Sequence, residues 1–189
     1  MKKILIIPLL LILISCSQKA EPELYLIPSG YSGRVEILFN QNGTPVKYTN
    51  DHGNDTVYVP KLGRPAKYEA GRRVYEIPSD GLLLSQFGSN DGFIDRKYFS
   101  VDSAGRRTPL KTIDLPGKKS DSAQYSFKKS SENLIFGNGI SGSYGNMNIP
   151  YQYFIVSTYN LLDSFNTKEY SRNFDKKIEN VTGLVLHLD

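Results

Sequence analysis

The amino-acid sequence predicts a mainly β protein, an antiparallel β-sandwich with one short C-terminal helix near residues 167–179. Three observations predict it. Apolar and polar residues alternate with a period of two through most of the chain, the signature of half-buried strands. The runs are rich in β-branched residues and in aromatics, with 13 Tyr and 9 Phe among 189 residues. Between them stand short clusters drawn from 16 Gly and 10 Pro, together with Asn and Asp, which mark turns.

The elements follow in order along the chain. Residues 24–27 form a short strand closed by Pro28-Ser29-Gly30, and residues 34–40 put Val35, Ile37 and Phe39 on one face. Asn40-Gln41-Asn42-Gly43 turns the chain; residues 56–59 and 73–77 are further strands, the second ended by Pro78-Ser79-Asp80-Gly81. Residues 82–87 are almost wholly apolar and suit a central strand. Residues 94–102 and 106–113 flank Ser103-Ala104-Gly105, a hairpin signal. Residues 114–124 (DLPGKKSDSAQ) read as a long surface loop or an internal break. Strands at 125–129, 134–136, 151–158 and 181–188 complete the pattern, the last with Leu184, Leu186 and Leu188 inward.

One segment departs from period two. Asn166 is placed to cap a helix with Glu169 at its third position, and Tyr170, Phe174 and Ile178 follow at helical spacing. That stripe packs a helix onto a sheet. A chain of this length buries a sound core without disulfides.

Composition removes several function classes. One Cys excludes an internal disulfide, a C-x-x-C pair and thiolate-rich zinc sites, and two His with no Trp thin the catalytic options. Gly137-Asn138-Gly139-Ile140-Ser141-Gly142 spells G-x-G-x-x-G, but the following SYGNMNIP cannot start the helix that a dinucleotide phosphate requires. Asp51-His52-Gly53-Asn54-Asp55, and Asn90-Asp91-Gly92 with Asp95, gather oxygen ligands without calcium-loop spacing and read as Asx turns. His52 and His187 pair with nothing in sequence. No cofactor and no metal is therefore expected. The candidate ligand-binding residues are Tyr31, Tyr48 and Tyr144, tyrosines in turn-rich segments that combine a rigid apolar face with one polar handle.

The first residues carry the clearest signal. Lys2 and Lys3 precede an apolar run from 4 to 14, interrupted by Pro8, which would cover roughly 16 Å as a helix, about half a bilayer core. A cleaved secretory signal is the expectation. Leu13-Ile14-Ser15-Cys16 resembles the lipobox of bacterial lipoproteins, which implies lipidation at Cys16. Acylation with two or three chains gives stable anchoring where a single chain is marginal. This divides the chain into a signal peptide (1–15), a lipidated tether (16–23) and a single β-rich domain (24–189). The tether SQKAEPE loosely resembles the surface-export tethers of Bacteroidota lipoproteins, and Ser17 is not the aspartate of inner-membrane retention. The expected location is the outer membrane of a bacterial envelope, on its periplasmic or surface face.

Processing also weakens the charge argument. The chain holds 23 basic and 19 acidic residues, and loss of Lys2 and Lys3 removes two of the basic ones. Its basic pairs are scattered among acids. Nucleic acid is not an expected partner.

The stretches YLIPSGYSGRVEILFNQNGTPVKY, GRRVYEIPSDGLLLSQF and FIDRKYFSVDSAGRRTPL resemble a family of uncharacterised bacterial lipoproteins that share a domain of unknown function. The likeness covers residues 24 to about 110 and implies no reaction and no functional residues. The repeated Tyr25-Leu26-Ile27-Pro28-Ser29-Gly30 and Tyr75-Glu76-Ile77-Pro78-Ser79-Asp80-Gly81 is also similar to prealbumin-like and carboxypeptidase-regulatory sandwiches. Asp55-Thr56-Val57, Asp102-Ser103-Ala104 and Asp121-Ser122-Ala123 resemble acceptor sites of Bacteroidota O-glycosylation.

The functional expectation is a non-catalytic binding or assembly module, tethered to membrane lipid through acylated Cys16, with an envelope protein or glycan as partner. The rival is a hydrolase acting on envelope polysaccharide through two carboxylates. A third reading is a structural spacer. A pocket holding an acid pair with one raised pKa would favour the enzyme, and a flat tyrosine-rich face the binder.

Overall fold

The computed structural model describes residues 20–49, 52–113, 131–144, 147–184 and 186. The signal peptide, Cys16, the break at 114–124, the strand at 125–129 and the end of the last strand lie outside the described residues.

Two five-stranded sheets face one another. The first runs in the order β5 (Tyr68–Glu69), β6 (Arg72–Glu76), β1 (Glu23–Pro28), β8 (Arg96–Val101), β9 (Arg107–Pro109). The second is β10 (Thr112–Ile113), β11 (Leu134–Tyr144), β12 (Ile149–Ser157), β2 (Gly33–Leu38), β7 (Leu82–Leu84). A separate hairpin joins β3 (Val46–Thr49) to β4 (Asp55–Tyr58) and exposes Val57. After β12, a 3-10 turn leads into α1 (Leu162–Phe165) and α2 (Lys168–Thr182).

The alternation read in the sequence builds three layers. Tyr25, Ile27, Tyr75, Ile77 and Tyr98 of the first sheet side meet Val35, Ile37, Phe39, Phe154 and Val156 of the second. On the other face of the second sheet, Leu38, Leu82 and Ile149 pack against Phe174 and Ile178 of α2. The mainly β sandwich and its C-terminal helix are thus present. Each buried aromatic or aliphatic side chain contributes about 1.5–3 kcal/mol.

The strand directions are mixed, where the sequence predicts antiparallel pairing throughout. β1 pairs in parallel with both β6 and β8, and β2 in parallel with β7. The reason lies in the repeated Tyr-x-Ile-Pro-Ser strings. In each, the proline ends a strand of the first sheet and the turn carries the chain across to the second. Tyr31 N donates to Pro28 O at 3.1 Å, and Gly81 N to Pro78 O at 2.9 Å, so both turns close over the same span. Two such arches, β1–β2 and β6–β7, lie side by side, which makes both of their strand pairs parallel. Tyr25 stands directly beside Tyr75 in this register.

Other departures are local. Residues 106–113 split between sheets: Leu110 N still bonds Tyr98 O, but Lys111 O accepts from Ile135 N in the second sheet. The G-x-G-x-x-G string lies inside β11 rather than in a connection, with a register shift between Phe136 and Ile140 where Gly137 and Gly139 take positive φ. Thr167, not Asn166, caps α2, its side chain accepting from Tyr170 N at 3.1 Å. Residues Val181 and Thr182, expected to open a strand, form the last turn of α2, and Gly183 ends it in the left-handed conformation at φ 75. The apolar stripe at 170, 174 and 178 simply continues into Val181 and Thr182, so burial against the sheet extends the helix.

Candidate functional site

A buried polar network of the sandwich is built around Glu23. Composition assigns this residue to the tether; in the structure it is the first residue of β1 and 0% exposed. Burial of a carboxylate is tolerated only when its lone pairs are filled. Oε2 accepts from the Tyr25 hydroxyl at 2.5 Å and from Arg96 Nε at 3.0 Å. Oε1 accepts from Asn90 Nδ2 at 3.0 Å and, more weakly, from the Tyr75 hydroxyl at 3.4 Å. Gln152 Nε2 in turn donates to the Tyr25 hydroxyl at 2.7 Å, tying the first sheet to the second.

The parallel arches make this possible. Glu23 sits opposite Arg96 in the β1–β8 register, and two residues on, Tyr25 sits between Tyr75 and Tyr98. The Tyr25 ring lies 4.6 Å from that of Tyr98, stacked, and 5.0 Å from that of Tyr75. Burial first, and then the Glu23 charge, push the Tyr25 hydroxyl well above its ordinary pKa, so it remains a donor. Burial works against the Arg96 cation, but the Glu23 carboxylate beside it keeps the guanidinium protonated. The bulge of β11 completes the packing: a β-carbon on Gly139 would stand 2.7 Å from Arg96 Nη1.

Above this network opens a recess of about 310 Å3. Asn90, Arg96 and Gln152 belong both to the network and to the lining, and Ser141, Ser143 and Asn148 add neutral polar groups. Asp91 is its one acidic lining residue among those described. Such a wall donates and accepts hydrogen bonds at fixed positions. Among the described residues, its lining does not bring together the two facing carboxylates of a glycosidase.

A second buried acid lies on the opposite face of the second sheet. Glu36 is 0% exposed, pairs with Arg34 at 2.6 Å and accepts from the Tyr144 hydroxyl. Burial raises the Glu36 pKa despite Arg34, and burial also raises that of Asp175 on α2. The Arg34 guanidinium lies 4.4 Å above the Tyr153 ring and 5.2 Å from that of Phe174. Neither acid lines the polar recess or a second one of about 340 Å3 beside Arg64 and Val74. Arg34, paired with Glu36, meets the helix through the Phe174 ring and through its backbone N, which donates to the Tyr170 hydroxyl at 3.0 Å.

The three candidate tyrosines do not converge. Tyr31 is half-buried against the sandwich core, its hydroxyl donating to Arg34 O at 2.5 Å. Tyr48 packs from β3 against the residues under α2. Tyr144 covers Glu36. All three are half-buried, where their turn-rich neighbourhoods suggest exposure. The recess residues carried little sequence signal: Asn90 lay in a turn cluster, and nothing in a linear string marks Glu23 as buried. Among the described residues, no three His, Cys, Asp or Glu side chains come together as metal ligands.

A family model of unknown function, DUF6843, matches residues 19–66 and 53–161. The chain belongs to that family. The DUF6843 match spans both arches and the whole Glu23 network, and ends just before α1. A comparison with curated proteins returns no match. A 2.75 Å crystal structure of a candidate lipoprotein from Bacillus anthracis is similar at a TM-score of 0.49 and 14% identity, over 87% of this chain and 99% of the other.

Proposed function

We propose that this DUF6843 chain is a lipid-anchored protein of the bacterial envelope, and that its sandwich is a non-catalytic module that binds an envelope protein or glycan. The observation that carries the reading is the recess over Glu23. Its lining offers serine hydroxyls beside the Asn90 and Gln152 amides and the Arg96 guanidinium, which the Glu23 network holds in place. Fixed neutral donors and acceptors suit recognition of a hydroxyl-rich or peptide ligand, since little ordering is needed on binding. The anchor half of the proposal rests on the lipobox-like Leu13-Ile14-Ser15-Cys16 and on the polar tether after it. Among the described residues, no helix is long and apolar enough to cross a membrane.

The test is a crosslinking pull-down from intact cells with the native chain, Cys16→Ala and Ser143→Arg, the last filling the recess. One dominant partner, lost from both variants, supports an anchored binding module. If no protein is enriched, the purified protein goes to envelope glycans for binding and for cleavage. Turnover of a polysaccharide would overturn the non-catalytic reading in favour of a hydrolase.

A further inference from the structure

We propose that the Asp91-Gly92-Phe93 loop is a second membrane contact, which lays the Phe93 ring into the lipid surface that holds Cys16. The inference rests on the anchor reading above. It deepens that reading by fixing which end of the sandwich faces the bilayer.

Phe93 is fully exposed, whereas every other described phenylalanine is buried or half-buried. A fully exposed ring gains free energy on entering an apolar medium, about 25 cal/mol for each Å2 of apolar surface removed from water. The position of the loop says what that is. Asn90 accepts from Glu21 N at 3.2 Å and donates to Glu21 O at 2.7 Å, and Glu23 N donates to Asp95 O at 2.9 Å. Both ends of the loop are therefore clamped to the first residues of the domain. Only residues 17–20 separate Glu21 from Cys16, a reach of at most about 18 Å fully extended. A lipidated Cys16 thus keeps this end of the sandwich beside the headgroups.

A second exposed aromatic marks the same place. Tyr68 directs its hydroxyl to Glu21 Oε1 at 3.2 Å. Aromatic rings with an apolar body are favoured at the level of lipid headgroups. Gly92, at φ 113, gives the loop the bend that turns Phe93 outward. A lipid surface is the occupant that the short tether brings within reach on every molecule.

The chain contains no tryptophan, so Phe93→Trp installs a single reporter. Leu161→Trp is the control: Leu161 is exposed and lies beyond the far end of β12, roughly 25 Å along that strand from the recess end. Each full-length protein is purified with its anchor, the mass of its N-terminal peptide is recorded, and it is reconstituted into phosphatidylethanolamine–phosphatidylglycerol vesicles with brominated or ordinary acyl chains. The expected result is a blue-shifted Phe93→Trp emission that brominated chains quench, with the Leu161→Trp emission unaffected. Emission from Phe93→Trp that ignores bromine, or equal quenching of both reporters, overturns the proposal. An N-terminal peptide without lipid on Cys16 overturns the anchor reading itself, and this inference with it.

Discussion

Tyr25 and Tyr75, which lead the two Tyr-x-Ile-Pro-Ser strings, stand side by side in a parallel strand pair, and both direct their hydroxyls to the same buried carboxylate, Glu23. Tyr25 is the stronger partner, at 2.5 Å, and it also receives the Gln152 amide. Tyr25→Phe leaves one carboxylate oxygen and one amide short of a partner in a buried setting. The expected loss is about 1–3 kcal/mol by urea denaturation. Glu23→Ala strands Arg96 as well, and its expected loss is larger, about 3–5 kcal/mol. If Glu23→Ala unfolds with the wild-type midpoint, the network contributes nothing to the fold.

The two arches also give a comparison between glycines. Gly30 and Gly81 have nearly the same backbone, at φ 78 and 80, but different surroundings. A β-carbon at Gly30 meets nothing within 4 Å, while one at Gly81 falls 1.9 Å from the Tyr31 hydroxyl and 2.5 Å from Arg34 O. Gly30→Ala should cost only the left-handed backbone strain, about 1–2 kcal/mol. Gly81→Ala should cost distinctly more, and Tyr31→Phe should recover part of the excess. Thermal denaturation of the four proteins checks this; equal losses at the two glycines would show that the turn relaxes around the methyl.

How far the fold is legible in sequence follows from which interactions are local. The Pro-Ser-x-Gly turns are written in residues next to one another, so both strand ends at Pro28 and Pro78 read correctly. That β1 and β6 then lie side by side depends on contacts about 50 positions apart, and alternation alone carries no direction. Ile135, Phe136, Phe154 and Val156 read as strand residues because they lie in local runs of apolar, β-branched and aromatic residues at 134–136 and 151–158. Glu23 does not, because a carboxylate beside a polar tether looks solvated until Asn90, Arg96 and Tyr25 are brought to it. The same holds for Tyr144, whose glycine and asparagine neighbours suggest exposure while its hydroxyl is drawn in by Glu36.

The start of α2 shows how fine the local reading can be. Asn166 and Thr167 are both good caps, and a capping box anchored on Asn166 is one residue early. The structure selects Thr167, at φ −77 and ψ 149, while Asn166 ends the preceding α1. Thr167→Ala should therefore cost about 1 kcal/mol, and Asn166→Ala a few tenths at most. Urea unfolding followed by far-ultraviolet circular dichroism separates the two. A larger loss at Asn166 would restore the earlier start.

The Glu36 site sets burial against pairing, and pH decides between them. Burial raises the carboxyl pKa; Arg34 and the Tyr144 hydroxyl lower it, and burial wins. An acid whose folded pKa lies above its unfolded value, near 4.3, binds more protons in the folded state between the two. Its contribution to stability is full below the unfolded value and is lost as pH rises through the folded one. Glu36→Gln cannot titrate, so the stability of the wild type relative to this variant should fall as pH is raised from about 4 toward neutrality. Urea midpoints for both proteins across that range measure the difference directly. A difference that grows with pH would mean that the Arg34 ion pair outweighs desolvation, and that the carboxylate, not the acid, is the form that clamps α2 to the sheet.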